Sequence, residues 1–270
     1  MLAFAGNSLL CRIALRDTAI DAASFTAIRI AAGALMLAVI LKSRGTRPMA
    51  GGNWLAALML FSYAAFFSFA YRELSAATGA LLLFGAVQMT MMGFGLFSGE
   101  RLGAVKIAGL AIALGGLVAL LLPGLAAPPI RGAAFMVVAG ASWGVYSILG
   151  RRLGNPTEAT AGNFLRAVPF AAALGLAGMK YATVDTTGAL YAVLSGAITS
   201  GLGYALWYAA LPSLKSTQAA IVQLSVPAIA ALGGALLLAE PITARLLIAS
   251  AAILGGIAIT ITSPALKESR

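Results

Sequence analysis

The chain has 270 residues, of which 61% are hydrophobic and 10% are charged, and its mean hydropathy is +0.96. Soluble domains are about half apolar and about a quarter charged, so this composition excludes both a soluble globular domain and a disordered chain. The net charge of +10 comes from basic residues in short segments between apolar runs, which is typical of a membrane protein and argues against nucleic-acid binding.

Two reactive residue types are almost missing from the sequence. Histidine does not occur, which excludes histidine-based acid–base chemistry and histidine-bound metals. Cys11 is the only cysteine and lies in an apolar run, so we expect a small buried side chain and no internal disulfide. A membrane-embedded enzyme would need clustered acids, a histidine or a metal motif. We therefore predict no enzymatic activity, no metal and no cofactor.

Charges and Gly/Pro clusters divide the chain into ten apolar runs. In chain order the runs cover residues 1–15, 21–41, 53–71, 76–98, 102–122, 130–150, 157–178, 187–211, 215–239 and 243–263. At about 20 residues for each membrane span, ten spans use roughly 200 residues, which leaves no room for a soluble domain. The pattern predicts an all-α integral membrane protein with ten transmembrane helices.

The distribution of basic residues predicts the orientation of these spans. With the N-terminus in the cytoplasm, the cytoplasmic segments hold ten lysines and arginines and the opposite segments hold six. Arg29 and Arg166 lie inside spans and are not counted. The bias predicts a multi-pass protein of the bacterial cytoplasmic (inner) membrane with both termini in the cytoplasm.

The two halves of the sequence resemble each other at nearly one offset. Leu-Gly-Gly-Leu at 114–117 recurs 140 residues later as Leu-Gly-Gly-Ile at 254–257, and Glu100 recurs at the same offset as Glu240. Arg29 recurs as Arg166 when two residues are dropped. Each half has five spans, an odd number, so the second half enters the membrane from the opposite side. We predict one membrane domain made of two inverted-topology repeats, residues 1–126 and 127–270.

A motif in the sixth run carries a family resemblance. Trp-Gly-x-Tyr at 143–146 is followed by Arg151, each half has an arginine in its second span, and each has a glutamate at the end of its fourth. With these features the sequence resembles the drug/metabolite transporter superfamily in its ten-helix EamA branch, over essentially the whole chain. The first half departs from the pattern, with Phe4 where the family favours tryptophan and Gln88 where the second half has Pro227.

The resemblance implies a helix bundle with a central cavity that alternates between the two sides of the membrane. The relatives that it suggests are bacterial amino-acid and metabolite exporters, including exporters of aromatic amino acids. The implied partners are a small-molecule substrate and membrane lipid, without nucleic acid, and the protein is expected to act as a monomer.

Polar amides and aromatic rings inside the spans are the candidate substrate-binding residues. An amide offers donors and acceptors to the ammonium and carboxylate of an amino acid, whereas rings accept apolar side chains. Helix–helix bonds for the amides, and an interfacial belt for aromatics near span ends such as Tyr71 and Tyr208, are the alternatives. The candidates are Asn7, Tyr63, Phe67, Phe84, Gln88, Trp143, Tyr146, Tyr204, Trp207 and Gln223.

Charges and prolines form a second group of candidates. Gating or structural charges are predicted at Arg29, Arg166, Glu100 and Glu240, and hinges at Pro169 and Pro227. The two arginines lie deep inside spans, where they either snorkel towards an interface, make structural pairs, gate the cavity or bind a substrate carboxylate. The two glutamates end helices and are predicted to bind neighbouring N–H groups or arginines.

The position of the acids predicts the energetics of transport. All eight Asp and Glu residues fall at span ends, in loops or in the tail. Proton-coupled carriers usually need a carboxylate or histidine within the membrane. The sequence therefore predicts export of amino acids, neutral and aromatic ones favoured, by facilitated or exchange transport. The alternative is an exporter of another small metabolite or drug, with proton coupling left open.

Overall fold

A computed structural model describes residues 1–47, 49, 51–99, 103–124, 127–150, 155–210, 213–214 and 222–262. These residues form helices and no strand. In chain order the main helices are α1 (Leu2–Asp17), α2 (Ala22–Ser43), α3 (Trp54–Tyr71), α4 (Ala76–Phe97), α5 (Ala104–Leu121), α6 (Ile130–Gly150), α7 (Pro156–Gly178), α8 (Thr186–Leu194, continued by Ser195–Leu202 and Gly203–Ala210), α9 (Ser225–Leu238) and α10 (Ala244–Thr262).

Seven of these helices are long and apolar enough to cross a membrane, namely α2, α3, α4, α5, α6, α8 and α10. Of the other three, α1 has 16 described residues and α9 has 14, while α7 has 23 residues and carries Glu158 and Arg166. The chain is therefore a multi-pass helical membrane protein. The full count of ten spans stays a prediction.

Polar side chains fix the first turn of several helices. Each accepts hydrogen bonds from backbone N–H groups that have no partner inside the helix, which is the usual role of an N-cap. These caps are Asp21 for α2, Asn53 for α3, Ser75 for α4, Asn155 for α7 and Asp185 for α8. The caps explain why the helices begin where the apolar runs begin.

The Leu-Gly-Gly segments bring α5 and α10 close together. A Cβ atom on Gly116 would lie 2.7 Å from a side-chain carbon of α10, and one on Gly256 would meet the carbonyl oxygen of Gly109. The preceding glycines, Gly115 and Gly255, have no atom within 4 Å of that position. In both segments the second glycine forms the helix contact and the first faces away.

The remaining helices surround the centre of the bundle. α6 packs against α3 and α4, α1 packs against α8 and α9, and α2 packs against α7 and α8. Gly140 and Gly144 let α6 approach α4, because a Cβ on Gly144 would lie 2.7 Å from the Cβ of Thr90. This arrangement turns one face each of α1, α3, α4, α6, α7 and α8 towards a shared interior space.

Candidate functional site

A cavity of about 500 Å³ occupies the centre of the bundle. Its wall reaches the last residue of α6, Gly150, and the first residue of α7, Pro156, so the cavity extends to that end of the bundle. All ten candidate substrate-binding residues lie in its wall: Asn7, Tyr63, Phe67, Phe84, Gln88, Trp143, Tyr146, Tyr204, Trp207 and Gln223. Their role in binding stays a prediction.

Trp143 is the centre of the aromatic part of this wall. Its ring centroid lies 4.8 Å from that of Tyr63 on α3, 5.2 Å from Tyr146 on α6 and 5.3 Å from Tyr204 on α8. Phe4 on α1 packs edge-on against Tyr204 at 5.7 Å and extends the cluster. Rings from four helices thus form one continuous apolar surface.

The three predicted amides differ in what they contact. Asn7 Oδ1 accepts hydrogen bonds from Ser195 Oγ at 2.6 Å and Thr199 Oγ1 at 3.3 Å, and its Nδ2 donates to the Tyr63 hydroxyl at 3.1 Å. Asn7 therefore links α1 to α3 and α8. Gln88 and Gln223 line the cavity and make no side-chain hydrogen bond with another described residue, so their amides have unused capacity for a ligand.

The segment of α8 that contacts Asn7 is π-helical over Ser195–Leu202. The wider turn brings Ser195 and Thr199 to Asn7 and Ser200 to Arg29. Such segments inside helices occur often at functional sites. The sequence shows no signal for this feature.

Arg29 does not snorkel towards an interface, because its side chain is buried among protein groups and the residue is only 1% exposed. Its guanidinium donates to the Tyr63 hydroxyl at 3.2 Å and to Ser200 Oγ at 3.4 Å. Cζ also lies 5.2 Å and 5.0 Å from the ring centroids of Tyr63 and Phe67. This position behind the cavity wall results from tertiary packing, which the depth of Arg29 in its span does not reveal.

Arg166, the counterpart of Arg29, has a different environment. Its Nη1 donates to the carbonyl oxygens of Gly51 at 2.7 Å and Gly162 at 3.1 Å. These bonds tie α7 to the segment before α3. Arg166 is half-buried and is not one of the residues that line the cavity.

The end of the bundle opposite Gly150 is held together by Glu240. Its Oε1 lies 2.8 Å from Arg12 Nε, and its Oε2 accepts the backbone N–H of Ala76 at 2.7 Å. Arg12 also donates to the carbonyl oxygen of Tyr71 at 2.9 Å. Glu240 thus connects α1, α4 and the end of α9, whereas its counterpart Glu100 lies outside the described residues.

One further expectation needs correction. Tyr71 is fully buried and packs edge-on against Phe67 at 4.7 Å, so it is not part of an interfacial belt. The side chain of Tyr208 lies outside the part that the structure describes. Pro227 is the third residue of α9, and its role as a hinge stays a prediction. Pro169 does lie inside α7.

The contribution of α7 to the cavity was not predicted from the sequence. Thr160 and Asn163 line it and lie three residues apart, on the same face of the helix. Asn163 Nδ2 donates to the Tyr146 hydroxyl at 3.4 Å, and its Oδ1 accepts the backbone N–H of Asn53 at 2.9 Å. Two polar residues at this spacing in an apolar run are the signal that would have identified this face.

Outside the spans, Asp21 connects the start of α2 to the segment before α8. Burial raises the pKa of Asp21, but hydrogen bonds from Ser24, Thr183 and Ala23 together lower it by more. The pKa of Asp21 therefore lies below its usual value. The carboxylate accepts the N–H of Thr183 at 2.9 Å, and the Asp21 N–H donates to the Thr183 carbonyl at 2.9 Å.

The fold and the cavity are those of a multi-pass helical membrane protein with an internal space of the size that binds small solutes. Residues 130–262 match the EamA-like transporter family, so this part of the chain is a domain of that family of membrane transporters.

Relatives and solved structures cover most of the chain. An uncharacterized protein of Pseudomonas aeruginosa is 60% identical over 261 residues, which are 96% of this chain and 91% of that protein. An uncharacterized transporter of Archaeoglobus fulgidus is 27% identical over 243 residues, 84% of this chain and 82% of that one. A protein crystal structure that is 19% identical superposes with a TM-score of 0.64 over 96% of both chains, which supports the fold.

Proposed function

We propose that this transporter exports amino acids, with neutral and aromatic ones favoured. The observation that carries the proposal is the composition of the cavity wall. The rings around Trp143 offer an apolar surface for a side chain, while the amides of Gln88 and Gln223 offer donors and acceptors to an ammonium and a carboxylate. None of the described lining residues is charged, which suits a solute with no net charge.

The contacts between helices support two inverted repeats of five helices each. In such a pair of repeats each helix has a counterpart five places away, so that α1 corresponds to α6 and α3 to α8. Exchanging each helix for its counterpart turns the α3–α6 contact into α8–α1, and α4–α6 into α9–α1. It likewise turns α3–α7 into α8–α2 and maps α5–α10 onto itself. The equivalent contacts of Gly116 and Gly256 fit the same exchange. These repeats would comprise residues 1–126 and 127–270.

The two ends of the bundle differ in a way that supports alternating access. One end of the cavity reaches Gly150 and Pro156, whereas the ion pair of Arg12 and Glu240 holds the other end together. With both termini in the cytoplasm, as the basic residues predict, the first of these ends faces the cytoplasm of the bacterium. An exporter would load its substrate from that side. The cavity is built within one chain, which supports a monomer as the transporting unit.

The bonding of the acids supports facilitated or exchange transport. Each acid that the structure describes binds an N–H group or a basic or amide side chain near the end of a helix: Asp17, Asp21, Glu73, Glu158, Asp185 and Glu240. These partners stabilise the charged carboxylates and so disfavour proton uptake during a transport cycle.

The test is uptake of labelled amino acids by liposomes that contain the purified protein, with and without a pH gradient. We expect saturable uptake of neutral and aromatic amino acids that does not depend on the gradient. Trp143→Ala should reduce uptake at least tenfold, because it removes the centre of the aromatic wall. Trp54→Ala is the matched control, since Trp54 is 58% exposed on the outside of the bundle.

Two results would contradict the proposal. Uptake that does not exceed that of empty liposomes for any amino acid, with folded protein, would refute amino-acid transport. Uptake that requires the pH gradient would refute the uncoupled mechanism alone.

A further inference from the structure

We propose that Tyr63, with Arg29 behind it, forms a subsite for the carboxylate of the transported solute. The cavity would then prefer solutes that carry a carboxylate over the same solutes with a neutral group in its place. This inference rests on the proposed function for its choice of amino acids as ligands. The subsite itself requires only that a carboxylate enters the cavity.

The hydroxyl of Tyr63 has a proton to donate. The Tyr63 oxygen accepts one hydrogen bond from Asn7 Nδ2 at 3.1 Å and another from Arg29 Nη2 at 3.2 Å. A phenolic oxygen has two lone pairs and one proton. Both lone pairs are occupied, and the proton has no acceptor among the described residues. Tyr63 lines the cavity together with Asn7, and the proposal assigns this proton to a ligand there.

The distances around the Asn7 amide fix which of its two ends faces Tyr63. The amide atom of Asn7 that faces Ser195 lies 2.6 Å from Ser195 Oγ, a distance that is typical of an O–H···O bond and short for N–H···O. The other amide atom of Asn7 lies 3.1 Å from the Tyr63 hydroxyl oxygen, within the range of N–H···O bonds. The oxygen of Asn7 therefore faces α8, and its nitrogen faces Tyr63.

The charge of Arg29 favours an anionic ligand at the same place. A buried guanidinium is usually paired with a carboxylate, because removing a charge from water is costly. Arg29 is 1% exposed and has no carboxylate within 4.0 Å among the described residues. Its Nη1 atom has no hydrogen-bond partner there either. The neutral hydroxyls and rings around it leave its positive charge uncompensated.

Together these features favour an anionic group at the Tyr63 hydroxyl. The hydroxyl would donate to one carboxylate oxygen, and the charge of Arg29 would strengthen that bond in surroundings of low dielectric constant. The Trp143 ring is 4.8 Å from the Tyr63 ring, so a ligand held by its carboxylate would place its side chain on the aromatic wall. One pair of residues would thus set both charge preference and orientation.

The experiment measures binding of a matched ligand series to the full-length protein in detergent by titration calorimetry. The series is L-phenylalanine, L-phenylalaninamide, 3-phenylpropionate and 3-phenylpropionamide, which varies the carboxylate and the ammonium separately. The wild type should bind each acid about ten- to a hundredfold more tightly than its amide. Tyr63→Phe should remove most of that preference by weakening the acids alone.

Tyr146→Phe is the matched control, because Tyr146 lines the same cavity and its oxygen accepts from Asn163. It should leave the ratio between acid and amide unchanged. If Tyr63→Phe does not fold, as judged by size-exclusion chromatography and thermal melting, the wild type still tests the proposal, because a ratio of one between acid and amide overturns it.

The outcomes separate the two proposals. Equal binding of acids and amides by the wild type, or an equal loss for both in Tyr63→Phe, would overturn the subsite. Binding of 3-phenylpropionate without L-phenylalanine would support the subsite and argue against amino-acid transport. A wild type that binds neither acid would overturn the subsite, whether or not it binds the amides.

Discussion

Arg12 and Glu240, 228 residues apart in the chain, form an ion pair of 2.8 Å between the last turns of α1 and the end of α9. Their side chains are only 14% and 8% exposed, so solvent screens the pair weakly. Because Glu240 also accepts the first N–H of α4 at Ala76, one carboxylate connects three helices at the end of the bundle opposite the cavity mouth.

Glu240→Gln should therefore make it easier to open this end. Loss of a charge-assisted bond costs about 1–3 kcal/mol, which corresponds to about a 5- to 150-fold increase of the open population. In a Cys11→Ser background, Ser8→Cys places a thiol at the cavity wall. An impermeant maleimide outside intact cells should label this thiol faster when Glu240→Gln is present than when Glu240 is kept, by the same factor. Glu158→Gln, which changes an acid at the opposite end, is the control, and equal rates in both variants would refute the gate.

The glycine pairs provide a second prediction about packing. Gly116→Ala and Gly256→Ala should each destabilise the protein by about 1–3 kcal/mol, because the new methyl group meets the partner helix. Gly115→Ala and Gly255→Ala place a methyl group in open space and should leave stability unchanged or raise it by up to about 1 kcal/mol. Thermal melting in detergent measures these differences. A larger loss at the first glycine of either pair would contradict the contact described for α5 and α10.

Local sequence determines much of this fold. The predicted runs 53–71 and 130–150 correspond to Trp54–Tyr71 and Ile130–Gly150, because an apolar segment of this length in lipid satisfies its backbone hydrogen bonds only as a helix or within a closed barrel. The candidate aromatics line one cavity because they fall on inward faces of several helices. The hydrogen-bond partners of a side chain depend on helices that are distant in sequence. The Asn7 amide, for example, is bonded by the π-helical segment Ser195–Leu202, which local sequence does not reveal.

Asn7 and Gln88 provide the third prediction, since the same amide chemistry has different surroundings. Asn7→Leu breaks bonds that join three helices and should destabilise the protein by about 1–3 kcal/mol. Gln88→Leu breaks no described hydrogen bond and should leave thermal stability nearly unchanged while it reduces uptake of amino acids in liposomes. Both variants are compared with wild type in melting temperature and in the initial rate of amino-acid uptake. A strong loss of stability in Gln88→Leu, or none in Asn7→Leu, would contradict these assignments.

Asp21 is expected to stabilise the folded protein more at neutral pH than at low pH. Because its folded pKa lies below the usual value of about 3.9, its contribution is fully present above that pH and is lost as pH falls through the folded pKa. Asp21→Asn keeps a side-chain oxygen that can cap α2 but loses the charged bond to Thr183, so we expect a loss of about 1 kcal/mol at pH 7. The difference in melting temperature from wild type should shrink as pH is lowered to about 3. A difference that stays constant over this range would show that the loss comes from the geometry of the Asp21 hydrogen bonds and not from its charge.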